Sequence, residues 1–222
     1  MPSYFMLNKP PGCISARRDW QGRATIYDHV PKFYPPLPHV GRLDYNSEGL
    51  LLFTDDGRLA QALLNKGFRN QCAEHEIPPV QKVYHVKVRP ILQEGDERLV
   101  RLCEPLDYHD NSAEQAADGT EGSEKIRYTT EPAQVRIVAQ RTRSTWVEVI
   151  INEGRFRQVR HLCDRSGLQI VKLRRVQLGP LVLGELKLRW CRPLTEGEIR
   201  ELYAAALPTD DFPVIIPIGG CS

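Results

Sequence analysis

The chain has 222 residues, enough for one large domain or two small ones, of which 41% are hydrophobic and 26% charged. That balance excludes a mostly disordered, collagenous or coiled-coil protein, and no apolar stretch reaches the ~20 residues of a bilayer span. The formal net charge of +2 hides a segregation, with twelve Lys/Arg against four Asp/Glu in residues 141–192 and four against eleven in residues 91–131. A face for a polyanion and an ordinary solvated surface both fit this pattern.

The opening apolar run, Tyr4-Phe5-Met6-Leu7, is too short for a signal peptide. Residues 49–54 form an apolar run suited to a buried strand. A helix follows over 58–65, with Asp55-Asp56-Gly57 at its head, Leu59, Ala62 and Leu63 inward, and Gly67 after its end. Residues 82–88 alternate, with Tyr84, Val86 and Val88 on one strand face. Residues 107–127 are polar and acidic and read as a flexible surface insertion. Two more strands are predicted, 134–139 with Val135, Ile137 and Ala139 together, and 145–151 with Val147, Val149 and Ile151 together. A helix over 155–166, ended by Gly167, places Phe156, Val159 and Cys163 inward. Leu181, Leu183 and residues 185–190 suggest a hairpin turning near Gly184. The last helix, 195–206, carries a capping box of Thr195 and Glu198. Residues 1–208 read as one domain and 209–222 as its tail. Many strands with scattered helices favour a mixed, mainly antiparallel α+β fold. The six cysteines contain no Cys-x-x-Cys pair and read as reduced thiols in a reducing, cytoplasmic setting without structural zinc.

Three constellations carry chemistry. In Gly41-Arg42-Leu43-Asp44, Asp44 sits on a loop feeding the strand at 49–54; it is either a turn residue or a functional carboxylate. In Lys82-Val83-Tyr84-His85-Val86, Tyr84 is either a core tyrosine or a platform on which a base stacks. In Glu153-Gly154-Arg155-Phe156-Arg157-Gln158-Val159-Arg160, Arg160 shares a side with core residues, so it snorkels to the surface or needs a carboxylate partner, for which Asp44 is a candidate. No P-loop or dinucleotide fingerprint is present, and Cys72 and His75 lack a second ligand pair.

With Asn8-Lys9-Pro10-Pro11-Gly12 at the start and Leu178-Gly179-Pro180-Leu181 near the end, these segments in this order resemble the RsuA/RluB/RluE/RluF family of ribosomal RNA pseudouridine synthases, from Phe5 to about Leu202. The resemblance implies a pseudouridine synthase fold, a bent and mainly antiparallel sheet with an RNA cleft. It makes residues 1–208 a catalytic domain. The chain begins almost directly with that domain, without an S4-type RNA-binding module, so its layout is most similar to the RluE group. The implied reaction isomerises uridine to pseudouridine in ribosomal RNA of the large-subunit, 23S type, without metal or other cofactor. By resemblance Asp44 is the catalytic aspartate, Arg160 its partner and Tyr84 the uracil-stacking residue. Arg42 occupies the space left by the flipped uridine. Lys9, Lys82, Arg155, Arg157 and Arg165 are further candidate RNA contacts. Ribosomal RNA is the implied partner, with no membrane, and a monomer is expected. The rivals are a small-subunit or tRNA target, a non-catalytic RNA-binding protein, and a glycoside hydrolase using Asp44 with Glu48.

Overall fold

The structure, a computed structural model, describes residues 3–64, 79–109 and 127–207. Gly67, Cys72, His75, most of the acidic insertion and the tail lie outside them. The chain forms two compact units, residues 1–81 with 173–222 and residues 82–172.

The first unit is built on strands buried on both faces. β1 (Tyr4–Lys9) and β3 (Ser47–Thr54) pair antiparallel, Tyr4 opposite Thr54 through Lys9 opposite Gly49, and neither strand exposes a residue. Near-continuous apolar runs suit such a position. β11 (Cys191–Pro193) pairs with the other side of β1. The free side of β3 takes β2 (His39–Val40) antiparallel and β9 (Gln169–Leu178) parallel, and β10 (Leu181–Val182) folds back on β9. The absence of a side chain at one residue permits the close approach of β3 and β9. Gly49, at φ +108°, lies opposite Arg175, and a Cβ there would fall 2.1 Å from the Arg175 carbonyl oxygen.

Two helices cover one core of this unit. α1 (Gly57–Leu64) buries Leu59, Ala62 and Leu63 as the sequence predicts, and packs on α4 (Glu196–Ala206) and β2. Asp56 caps α1 by accepting from Leu59 N at 3.0 Å. Its other oxygen accepts from the hydroxyls of Tyr4, at 2.8 Å, and Tyr203. Burial is the main reason both phenols are pushed above the usual tyrosine range. The Thr195 and Glu198 capping box is present, and Glu198 also accepts from Arg192 at 2.6 and 2.8 Å. Residues 185–190, read as half of a hairpin, form two turns, with Gly184 and Arg189 at positive φ. The hairpin connects β9 and β10 instead, turning at Gly179 and Pro180.

The second unit carries β4 (Lys82–Arg89), β7 (Gln134–Arg141) and β8 (Ser144–Ile151), with β8 antiparallel to both. The expected alternation holds: Tyr84, Val86 and Val88 are buried while His85 and Lys87 turn outward. On the outer face Glu148 accepts from Arg136 at 2.6 Å and lies 3.2 Å from His85 Nε2; the Arg136 bond chiefly lowers its pKa. α2 (Glu97–Cys103), which the sequence reading did not place, packs on β7 and on α3 (Gln158–Arg165). The flanks of the acidic insertion pair as β5 (Asp107–His109) and β6 (Arg127–Thr129). The ladders thus belong to the mixed, mainly antiparallel class expected from sequence.

Candidate active site

In the first unit the candidate carboxylate sits on a loop held from below. Lys9, the last residue of β1, is fully buried, and its ammonium donates to the carbonyls of Ser47 at 2.9 Å and of Pro10 and Asp44 at 3.0 Å. Burial lowers its pKa, with nearby groups, Asp44 among them, opposing the shift. Lys9 therefore holds the backbone of Asp44 in place of contacting phosphate, which corrects the sequence reading. Ser15 Oγ donates to Leu43 O at 2.8 Å and accepts from Leu43 N at 3.1 Å. Gly12 N donates to Tyr45 O at 2.8 Å, and Ser47 N donates to Asp44 O at 3.0 Å. The segment bearing Asp44 is fixed on both sides of that residue. The Asp44 side chain itself is half-buried, 3.5 Å from the Ser47 hydroxyl, with Arg42, Tyr45 and Asn46 exposed around it. Glu48 is buried within β3, opposite Arg174, so it does not stand beside Asp44 as an open second acid for glycoside hydrolysis.

In the second unit Tyr84 lies opposite Val149 on the buried face of the sheet. The arginine-rich motif is a turn followed by a helix, and the helix begins three residues later than predicted. The Glu153 carboxylate ties the turn together, accepting from Glu131 N and Gln158 Nε2 at 2.8 Å and from Arg155 Nε at 3.2 Å. Gln158 Oε1 in turn accepts from Arg155 N at 3.2 Å. Arg157 caps α3 in a left-handed conformation, φ 51° and ψ 24°, which breaks the helical path. Such a backbone costs a non-glycine residue ~1–2 kcal/mol, and strain of this kind gathers at functional sites. Arg160 follows in the first turn of α3 and is half-buried; Arg155 and Arg157 are exposed.

The expected RNA contact of Lys82 is corrected here, and Arg165 is engaged within the second unit. Lys82 is only 7% exposed and its stem packs against Gly154, where a Cβ would come within 3.1 Å of Lys82 Cε. Arg165 donates to the carbonyls of Arg101, Glu104 and Pro105, closing the C-terminal end of α2. Of the basic segment 141–192, Arg141, Arg143, Arg155 and Arg157 face water, whereas Arg175 is 3% exposed and donates through Nε to Leu50 O at 2.9 Å. An open depression of about 630 Å³, lined by residues including Arg89, Ile91 and Arg143, lies at the opposite end of β4 from Tyr84, roughly 17 Å away at ~3.3 Å per residue. Sequence reasoning missed the roles of Lys9, Ser15 and Arg175; a cation inside the two-sided apolar strand Tyr4–Lys9 was the available signal for the first.

A family model described as RNA pseudouridylate synthase matches residues 3–165. The chain belongs to this family. Pseudouridine synthases are isomerases, and the relatives fit that membership. The chain is 31% identical over 207 residues to the ribosomal large subunit pseudouridine synthase B of Bacillus subtilis (strain 168), covering 92% of this chain and 73% of that protein. It is 33% identical over 201 residues to a protein of the same name from Pseudomonas aeruginosa, covering 88% of this chain but 44% of that protein. A solved pseudouridylate synthase is similar with a TM-score of 0.68 and 29% identity, covering 91% of this chain and 74% of that one. Among the described residues no helix is long and apolar enough to cross a membrane, and no three His, Cys, Asp or Glu side chains gather as metal ligands. The four described cysteines are free thiols; burial pushes Cys163 and Cys191 up to about 12.

Proposed function

We propose that this pseudouridine synthase isomerises a uridine of large-subunit ribosomal RNA, using Asp44 as its catalytic carboxylate. The reaction breaks the bond from uracil N1 to C1′, turns the base, and forms a bond from C5 to C1′; the C5 proton leaves to solvent and N1 gains one. A carboxylate can drive this as a nucleophile or by abstracting a sugar proton. Either route requires its oxygens to be held against the flipped nucleotide. The observation that carries the proposal is the Asp44 loop itself: a half-buried carboxylate on backbone fixed by the Lys9 ammonium and the Ser15 hydroxyl, inside the matched family segment.

In this reading Tyr84 stacks on the uracil, and Arg160 pairs with Asp44 and fixes its direction. Arg42 holds the gap left by flipping, which costs a few kcal/mol. Arg155 and Arg157 contact phosphates. The large-subunit target draws on the names of the relatives, which carry the B designation; the RluE group expected from sequence is not shown by them. The test is a map of pseudouridines in ribosomal RNA from cells with and without the protein. One large-subunit position should lose its pseudouridine. A lost position in small-subunit RNA or tRNA would move the target, and an unchanged map would leave a non-catalytic RNA-binding protein.

A further inference from the structure

Between Ile14 and Thr25 the chain leaves the body of the first unit and returns. A bridge between these two residues closes the stem, with Ile14 N donating to Ala24 O and Ile26 N to Ile14 O, both at 2.9 Å. Asp19 locks the tip, accepting from Arg23 N at 2.7 Å, Nε at 3.0 Å and Nη2 at 2.9 Å, and its side chain is only 3% exposed. The loop therefore has a held shape. Beside Asp19, Trp20 is 89% exposed. An indole on a pinned loop offers its whole apolar face to a partner.

The loop borders the Asp44 segment. Ser15 at its stem grips Leu43, and Arg23 is close enough to Tyr45 to feel its phenol electrostatically. Arg17 and Arg18 on the loop and Arg42 beside Leu43 are exposed, Arg17 lying 5.9 Å from the centre of the Tyr27 ring. Protein docking sites of this kind need a contiguous apolar patch. Here the other exposed residues of the loop are Arg17, Arg18, Gln21, Gly22, Arg23 and Ala24, of which only Ala24 is apolar apart from glycine. An exposed indole with guanidinium groups on the same loop instead matches the two parts of a nucleotide, a flat base and an anionic backbone.

We propose that residues 15–24 form a stacking arm for RNA, with Trp20 covering a base next to the flipped uridine and Arg18 and Arg42 on the flanking phosphates. This rests on the proposed reaction, because flipping is what leaves neighbouring bases uncovered. Base–aromatic stacking corresponds to about 5- to 150-fold in affinity per base.

Two readouts separate the arm from the reaction. In Trp146→Phe/Trp190→Phe protein, Trp20 is the sole tryptophan. Titration with a short single-stranded RNA of mixed sequence should quench its fluorescence. Trp20→Ala should weaken binding of the same RNA by about 5- to 150-fold, and Trp20→Phe should keep most of the affinity. Phe33→Ala, which removes another exposed ring of the same unit, should bind as wild type. Unquenched Trp20, unchanged affinity in Trp20→Ala, or an equal loss in Phe33→Ala would overturn the arm. Tritium release by the wild type from ribosomal RNA transcripts labelled at uridine C5 reports on the reaction independently. Release with a silent Trp20 refutes the arm alone; quenching without release leaves Trp20 stacking on RNA and refutes the flipped uridine beside it.

Discussion

Gly49→Ala should be among the most destabilising substitutions in the chain. The methyl group meets three backbone atoms of Arg175, at 2.1 Å from O, 2.7 Å from N and 2.9 Å from C, and no rotamer change relieves a backbone contact. Two costs combine. The backbone at φ +108° disfavours any side chain, by ~1–2 kcal/mol. Overpacking against β9 adds ~1–3 kcal/mol, at its upper end because the parallel pairing must open. The sum is roughly 3–5 kcal/mol, a large part of the ~5–15 kcal/mol that holds a typical domain. Gly22→Ala isolates the first cost, since Gly22 has φ +73° and nothing within 4 Å of its Cβ position. Urea unfolding followed by far-UV circular dichroism measures both variants. With a slope of ~2–3 kcal/mol per molar, Gly49→Ala should lower the midpoint by about 1–2 M and Gly22→Ala by less than half of that. Equal midpoints for the two would refute the packing argument.

Further outcomes follow from the same geometry. Lys9→Met leaves the carbonyls of Pro10, Asp44, Tyr45 and Ser47 without their ammonium, so it should cost roughly 2–4 kcal/mol by chemical unfolding and reduce turnover more than RNA affinity. Glu198→Gln should destabilise at neutral pH, because the Arg192 bond depresses the Glu198 pKa. A depressed carboxylate contributes stability above its unfolded pKa and loses it as pH falls through the folded one, so thermal melts of variant and wild type should converge in acid. Arg157→Ala should flatten the salt dependence of RNA binding by ~0.7 for each single-strand phosphate that the guanidinium neutralises. Arg165→Ala should leave that slope unchanged and lower the melting temperature, since its guanidinium closes α2.

Periodicity decided which elements could be read in advance. β4, β8 and α4 alternate or cap cleanly and were legible within a residue or two. β9 was not, because Lys172, Arg174 and Arg175 interrupt its apolar positions; Arg175 is nonetheless buried, its Nε satisfied by Leu50 O. The start of α3 moved because the left-handed turn at Arg157 lies beside the Glu153 and Gln158 network, which draws in the backbone of Glu131 from another segment. The motifs revealed the family and the position of Asp44. They did not reveal which cations face water. Lys9, Lys82 and Arg165 have the residue type of phosphate contacts, and only the packing shows that the two lysines are buried and that the Arg165 guanidinium is taken up by carbonyls at the end of α2.

If the Asp44 carboxylate drives the isomerisation, Asp44→Asn abolishes it. The amide keeps the size and shape of the side chain and removes its charge, while the loop stays held by Lys9 and Ser15 through backbone atoms alone. Tritium release from ribosomal RNA labelled at uridine C5 is measured for wild type and variant, alongside RNA affinity and melting temperature. Asp44→Asn should show no release above background, with affinity and melting temperature close to wild type. Release at the wild-type rate would contradict it.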